Sequence, residues 1–121
     1  MSKKILVVDD EPDSRGMLRM YFEIRGFEVA EAEDGYQAVE RALRLRPDLV
    51  VMDMAMPLVD GINSATAMRQ HDELHAIPIV ALTGFGDFYR PRALEAGCNE
   101  VVAKPVDFER LHLAVVKHLG H

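Results

Sequence analysis

The chain carries a single cysteine, Cys98. An internal disulfide is therefore excluded, and the composition suits a reducing compartment such as the cytoplasm. Cys98 reads as a small packed side chain rather than a nucleophile. Also missing is any run of about 18 apolar residues, so no membrane span is expected. The apolar stretch near the N-terminus, Ile5 to Val8, is short and runs straight into two aspartates. A secretory signal needs a longer apolar region and a small-residue cleavage site, so secretion is not expected either. No dense block of Lys or Arg occurs, and the formal net charge is −6. Nonspecific nucleic-acid binding needs basic surface to displace counterions, which argues against direct nucleic-acid binding by this segment. Internal repeats, low-complexity tracts and linkers are absent as well.

What is present suits one compact domain over residues 1–121: 49% of the chain is apolar and 28% is charged. Short apolar runs alternate with amphipathic stretches. The runs are Ile5–Val8, a weaker one around Val29, Leu49–Met52, Ile79–Leu82 and Val101–Ala103. Helical spacing predicts a first helix over about Ser14 to Arg25, with Leu18, Tyr21 and Phe22 on one face and Gly26 as its stop. A second spans Gly35 to Leu45, and a weaker third lies near Ile62 to Gln70. A fourth falls between Asp87 and Ala96; Pro91 fits a first turn only, which puts its start near Arg90. In the last, Phe108, Leu111, Val115 and Leu119 recur at helical spacing after Asp107, a plausible N-cap. Runs apolar on both faces suit a parallel sheet covered on each side. The alternation therefore reads as a doubly wound α/β domain of five strands and five helices. In such folds ligands bind beyond the carboxyl ends of the strands.

The polar residues of interest fall at those ends. Asp9 and Asp10 follow the first run, Asp53 the third, Thr83 the fourth and Lys104 the fifth. Their chemical types suit one task. Mg²⁺ prefers oxygen ligands, typically a few carboxylates with waters and a phosphate oxygen. Clustered carboxylates repel one another, and a divalent cation relieves that repulsion. A carboxylate is also a nucleophile toward phosphorus, forming an aspartyl phosphate. Such a transfer depends mainly on positioning and charge neutralisation, to which Mg²⁺ and a lysine contribute.

The chain resembles response-regulator receiver domains over essentially its whole length. The stretches that carry the resemblance are Ile5-Leu-Val-Val-Asp9-Asp10-Glu-Pro12, Asp48-Leu-Val-Val-Met-Asp53-Met-Ala-Met-Pro57, Asp60-Gly61, Ala81-Leu-Thr83-Gly84, Ala93-Leu-Glu-Ala-Gly97 and Ala103-Lys104-Pro105. The resemblance implies a flavodoxin-like sheet of strand order 2-1-3-4-5. It implies that Asp53 is the phosphoacceptor and that Asp9, Asp10, Asp53 and the backbone carbonyl of Ala55 hold Mg²⁺. Thr83 and Lys104 would sense and bind the phosphoryl group, and the Lys104–Pro105 peptide would be cis. The implied role is a phosphorelay switch, not a metabolic enzyme. A sensor histidine kinase or histidine phosphotransfer protein would donate the phosphoryl group, and a downstream effector protein would read the result. The chain is either a stand-alone receiver or a module of a longer transcriptional regulator or hybrid kinase.

Three departures from the family pattern stand out. Val101 occupies the place, three residues before the lysine, where Tyr or Phe is usual; valine has no bulky ring to swing inward. Signalling is then expected to rely more on backbone shifts between Thr83 and Tyr89. The stretch Phe85-Gly86-Asp87-Phe88-Tyr89-Arg90-Pro91 reads either as a loop with half-packed rings or as a partner-binding patch. Ala55 offers no side chain to orient water beside an acyl phosphate, and Phe85 is expected to shield that side, so self-dephosphorylation should be slow. Asp60-Gly61 reads as a structural turn. His71 and His75 have the spacing of a helical metal pair but no further ligands, and read as solvated surface. A phosphatase of similar topology would carry a general-acid Asp two residues after the nucleophile, where Ala55 stands. A pseudo-receiver would lack the acceptor or the acidic pair, and both are present.

Overall fold

A computed structural model describes residues 2–56, 60–84 and 88–119. Five parallel strands form one sheet: β1 (Lys4–Val8), β2 (Glu28–Ala32), β3 (Leu49–Asp53), β4 (Ile79–Thr83) and β5 (Glu100–Ala103). Their order is β2-β1-β3-β4-β5, as the resemblance implies. The chain reverses direction of travel across the sheet at β1 and β3, which opens a crevice at their carboxyl ends. The pairing is in register, with Val8 opposite Met52 and Asp53 opposite Leu82.

Alternation along each strand sends side chains to two faces. Ile5, Val7, Leu49, Val51, Val80, Leu82 and Val102 pack on one side, with Leu18, Phe22, Leu111 and Val115 from the covering helices. Leu6, Val8, Val50, Met52, Ile79, Ala81 and Val101 pack on the other. β1, β3 and β4 are buried almost end to end, which is why they read as uniform apolar runs. β2 is an edge strand and only partly covered, so its pattern is weak in sequence.

The helices are α1 (Pro12–Ile24), α2 (Gly35–Leu45), α3 (Gly61–Arg69), α4 (Arg90–Glu95) and α5 (Phe108–Leu119). α1 begins two residues before the expected Ser14, because Pro12 is well suited to a first helical turn. It stops as expected: Gly26 takes φ of 90°, a conformation that costs glycine little. α4 starts at Arg90 with Pro91 in its first turn, also as expected. The Asp107 carboxylate accepts hydrogen bonds from the N–H groups of Glu109 and Arg110, capping α5. A short 3₁₀ turn, Asp72–Leu74, separates His71 from His75, so the two histidines do not share a face of an α-helix. Cys98 is buried, and burial pushes its thiol up to about 11 despite the nearby Arg69.

Candidate functional site

β1, β3, β4 and β5 deliver the expected residues to one end of the sheet. Asp9 and Asp10 follow β1, Asp53 and Thr83 are the last residues of β3 and β4, and Lys104 follows β5. Asp9 is 1% exposed, Asp53 3% and Thr83 1%, whereas Asp10 lies open to solvent. One carboxylate oxygen from each of Asp9, Asp10 and Asp53 falls within 4.8 Å of the others. Among the described residues this is the only such group of acidic, His or Cys side chains.

Hydrogen bonds fix each buried carboxylate. Asp53 Oδ1 accepts from the Ala55 N–H at 3.0 Å, and Oδ2 pairs with Lys104 Nζ at 2.9 Å. Asp9 Oδ1 accepts from the Glu11 N–H at 2.9 Å, and Oδ2 accepts from the Ser14 hydroxyl at 2.7 Å. The Lys104 N–H donates to the Thr83 carbonyl at 2.8 Å, which ties the ends of β4 and β5 together. The Lys104–Pro105 peptide is cis, as the resemblance implies.

Burial holds the Asp53 carboxyl above its ordinary range; Lys104 and the Ala55 N–H oppose this, and Asp9 adds to it. Three carboxylates face one ammonium, which leaves two negative charges uncompensated when all are ionised. A divalent cation with a preference for oxygen matches both the charge and the donor type. The donor set therefore fits Mg²⁺.

The loop between β3 and α3 is shaped by Asp60 and Gly61. Asp60 caps α3, its carboxylate accepting from the Asn63 N–H at 2.9 Å. The Gly61 N–H donates to the Met54 carbonyl at 3.1 Å. A Cβ at Gly61 would lie 2.6 Å from the Asp53 carbonyl oxygen and 2.8 Å from Met54 Cα, besides striking the Met54 methyl. The pair is thus structural, as its sequence suggests, and glycine is needed for close approach to the strand that ends in Asp53.

The residues matched by the family described as the response regulator receiver domain are 5–116. The chain belongs to the response-regulator receiver family. It is 32% identical to the polar-differentiation response regulator DivK of Brucella anthropi, over 99% of this chain and 98% of DivK. It is 38% identical to the transcriptional regulatory protein SrrA of Staphylococcus aureus, over 87% of this chain but only 43% of SrrA. Among solved structures, the receiver domain of a sensor histidine kinase from Pseudomonas aeruginosa, with a magnesium ion coordinated in its active-site cleft, superposes with a TM-score of 0.92. The two are 30% identical over the full length of both chains. A response regulator from Chloroflexus aurantiacus gives 0.94, at 30% identity and again over both full lengths. Receivers are signalling switches rather than enzymes in the usual sense, and the acidic pocket of this receiver fits a phosphoacceptor site. No described helix is long and apolar enough to cross a membrane.

Around this receiver's pocket, Val101 is 6% exposed and packs with Ala81, Ala93 and the methionines of one sheet face. Phe85, with Gly86 and Asp87, lies outside the described residues, as do 57–59. Of the aromatic stretch, Phe88 is exposed, with the Tyr89 ring 5.2 Å away edge-on and the Arg92 guanidinium 5.2 Å from its centroid. Sequence reasoning found the strand-end residues but missed Ser14 and Arg15, whose links to Asp9 arise from the fold of the loop. The Arg15 guanidinium donates to the Asp9 carbonyl at 2.9 Å and pairs with Glu31 at 2.8 Å.

Proposed function

We propose that residues 1–121 form one cytoplasmic receiver unit in which Asp53 accepts a phosphoryl group. The observation that carries this reading is the trio of convergent carboxylates with Lys104 on Asp53. The donor is a phosphohistidine of a sensor histidine kinase or a histidine phosphotransfer protein. A bond forms between an Asp53 carboxylate oxygen and phosphorus as the phosphorus–nitrogen bond breaks, and the imidazole leaves with its electron pair. Asp9, Asp10, Asp53 and the Ala55 carbonyl would hold Mg²⁺. When bound, that ion would neutralise charge on the phosphoryl oxygens.

The chain's own groups do the rest. Burial and two donors hold the Asp53 carboxylate in one orientation before the donor arrives. Lys104 exchanges its carboxylate partner for a phosphoryl oxygen as charge moves outward. Thr83, hydrogen-bonded through its carbonyl to the Lys104 N–H, brings a hydroxyl to another phosphoryl oxygen. With Val101 in place of a ring, the relay to an effector protein runs through the backbone after Thr83. DivK matches over nearly its whole length and SrrA over less than half, so both a stand-alone regulator and a module of a longer one fit this receiver.

The test is intact-mass measurement after incubation with a small phosphodonor and Mg²⁺. Wild type should gain one phosphoryl group and Asp53→Asn none. No gain in wild type would overturn the reading. Following the adduct afterwards should reveal slow decay, because Ala55 is exposed and brings no polar side chain to orient water.

A further inference from the structure

Asp9 is held through four of its atoms, two in the side chain and two in the backbone. Its carboxylate oxygens accept from the Glu11 N–H and the Ser14 hydroxyl, its carbonyl accepts from Arg15, and its own N–H donates to the Ala32 carbonyl at 3.1 Å. Three of those contacts come from the N-cap and first turns of α1. The N-cap residue itself, Glu11, makes no side-chain capping bond. The start of α1 is therefore anchored on Asp9, and Asp9 in turn is oriented by α1.

We propose that Ser14 is a positioning residue for cation binding: its hydroxyl fixes the Asp9 carboxylate in the orientation that the cation requires. Arg15 supports it by holding the backbone of the same residue. Resting on the Mg²⁺ reading above, this adds a residue that does not itself touch the ion. Two opposing effects decide the sign. A hydroxyl on Oδ2 draws electron density from the carboxylate and weakens it as a ligand. Against that, Asp9 is almost wholly buried, and losing the donor leaves Oδ2 unsatisfied and free to turn away. Partners that orient a metal's ligands are typically worth about tenfold or more in affinity, so orientation outweighs polarisation. The Arg15 charge is compensated by Glu31, which also pairs with Arg19 at 2.6 Å, so its net effect on a nearby cation is small. Those arginines in turn hold the Glu31 carboxyl below its ordinary range, although partial burial opposes them.

The experiment is calorimetric Mg²⁺ titration of the wild-type chain and of Ser14→Thr, Ser14→Val, Asp9→Asn and the Asp9→Asn/Ser14→Val double variant. Thermal melts of each confirm the fold. Threonine and valine share a shape and differ by the hydroxyl. Ser14→Val should weaken Mg²⁺ about tenfold. Ser14→Thr should bind close to wild type, and valine should add little in the Asp9→Asn background. Hydrogen exchange on wild type should also reveal slower amides in the first turn of α1 when Mg²⁺ is added. Equal affinity for the threonine and valine variants, with Asp9→Asn still impaired, would overturn the positioning role and leave the cation site standing. Wild type that binds no Mg²⁺ at millimolar concentration would overturn both.

Discussion

On one face of the sheet, α1 and α5 bring rings. Phe22 is wholly buried, its ring edge-on to Tyr21 at 5.3 Å and to Phe27 at 5.8 Å, while Tyr21 meets Phe108 at 4.8 Å. On the opposite face, α2, α3 and α4 bring alanine and methionine: Ala38, Ala42, Ala65, Met68 and Ala93 meet Met52, Met54 and Met56 from β3 and its following loop. Rings in edge contact have few alternative arrangements. Methionine is flexible and repacks at low cost. Met52 and Met54 flank Asp53 in sequence, so the last residue of β3 stands between two side chains of the adaptable face. Val101 lies on that face too, with Ala81 and Ala93 around it. The difference teaches that ring packing and methionine packing lie on opposite sides of one sheet, with the phosphoacceptor candidate at the boundary.

The largest expected effect lies on the ringed face. Phe22→Ala removes a fully buried ring with two edge contacts and should destabilise the fold by about 3–5 kcal/mol. Urea unfolding checks it: the midpoint should fall while the slope stays unchanged. A loss below about 1 kcal/mol would mean that α1 repacks as freely as the methionine side, against the usual cost of such a truncation.

Most of this architecture is legible in the sequence, for definite reasons. β1, β3 and β4 are covered on both faces, so their residues are apolar without interruption and stand out as runs. The site is legible because strand ends are the places where a buried run must meet a polar residue, and Asp9, Asp53 and Thr83 all sit there. The less legible parts depend on contacts between distant segments. The Arg15–Glu31 pair spans 16 residues and joins α1 to β2. The 3₁₀ turn at Asp72–Leu74 is too short to set up a period. α2 ends with Arg46 at φ 48°, a left-handed position filled by a non-glycine residue that gives no stop signal in sequence. That Gly61 faces the Asp53 carbonyl emerges only once α3 has packed.

A middle-sized effect is expected at that glycine, where the adaptable face meets the site. Gly61→Ala puts a methyl against the backbone of Asp53 and Met54, neither of which is the far end of a flexible chain. The strand end must shift, and overpacking of this kind costs about 1–3 kcal/mol. Because the atom displaced is the carbonyl oxygen of Asp53, phosphoryl uptake by intact mass should slow as well. Destabilisation with uptake unchanged would separate the β3–α3 loop from the carboxylate and break the proposed border.

The smallest effect should come from Met68→Leu, on α3 and 1% exposed. The two side chains are close in volume, and such swaps usually cost less than about 1.5 kcal/mol. Here Met52, Met54 and Met56 belong to the same cluster and share the adjustment, so the change should be spread over flexible neighbours rather than focused on one void. Urea unfolding alongside Phe22→Ala gives the ratio that matters, and phosphoryl uptake should stay at the wild-type rate. If this conservative swap costs as much as removal of the Phe22 ring, the methionine face is as tightly fitted as the ringed one. The asymmetry between the two sides of the sheet would then have no energetic basis.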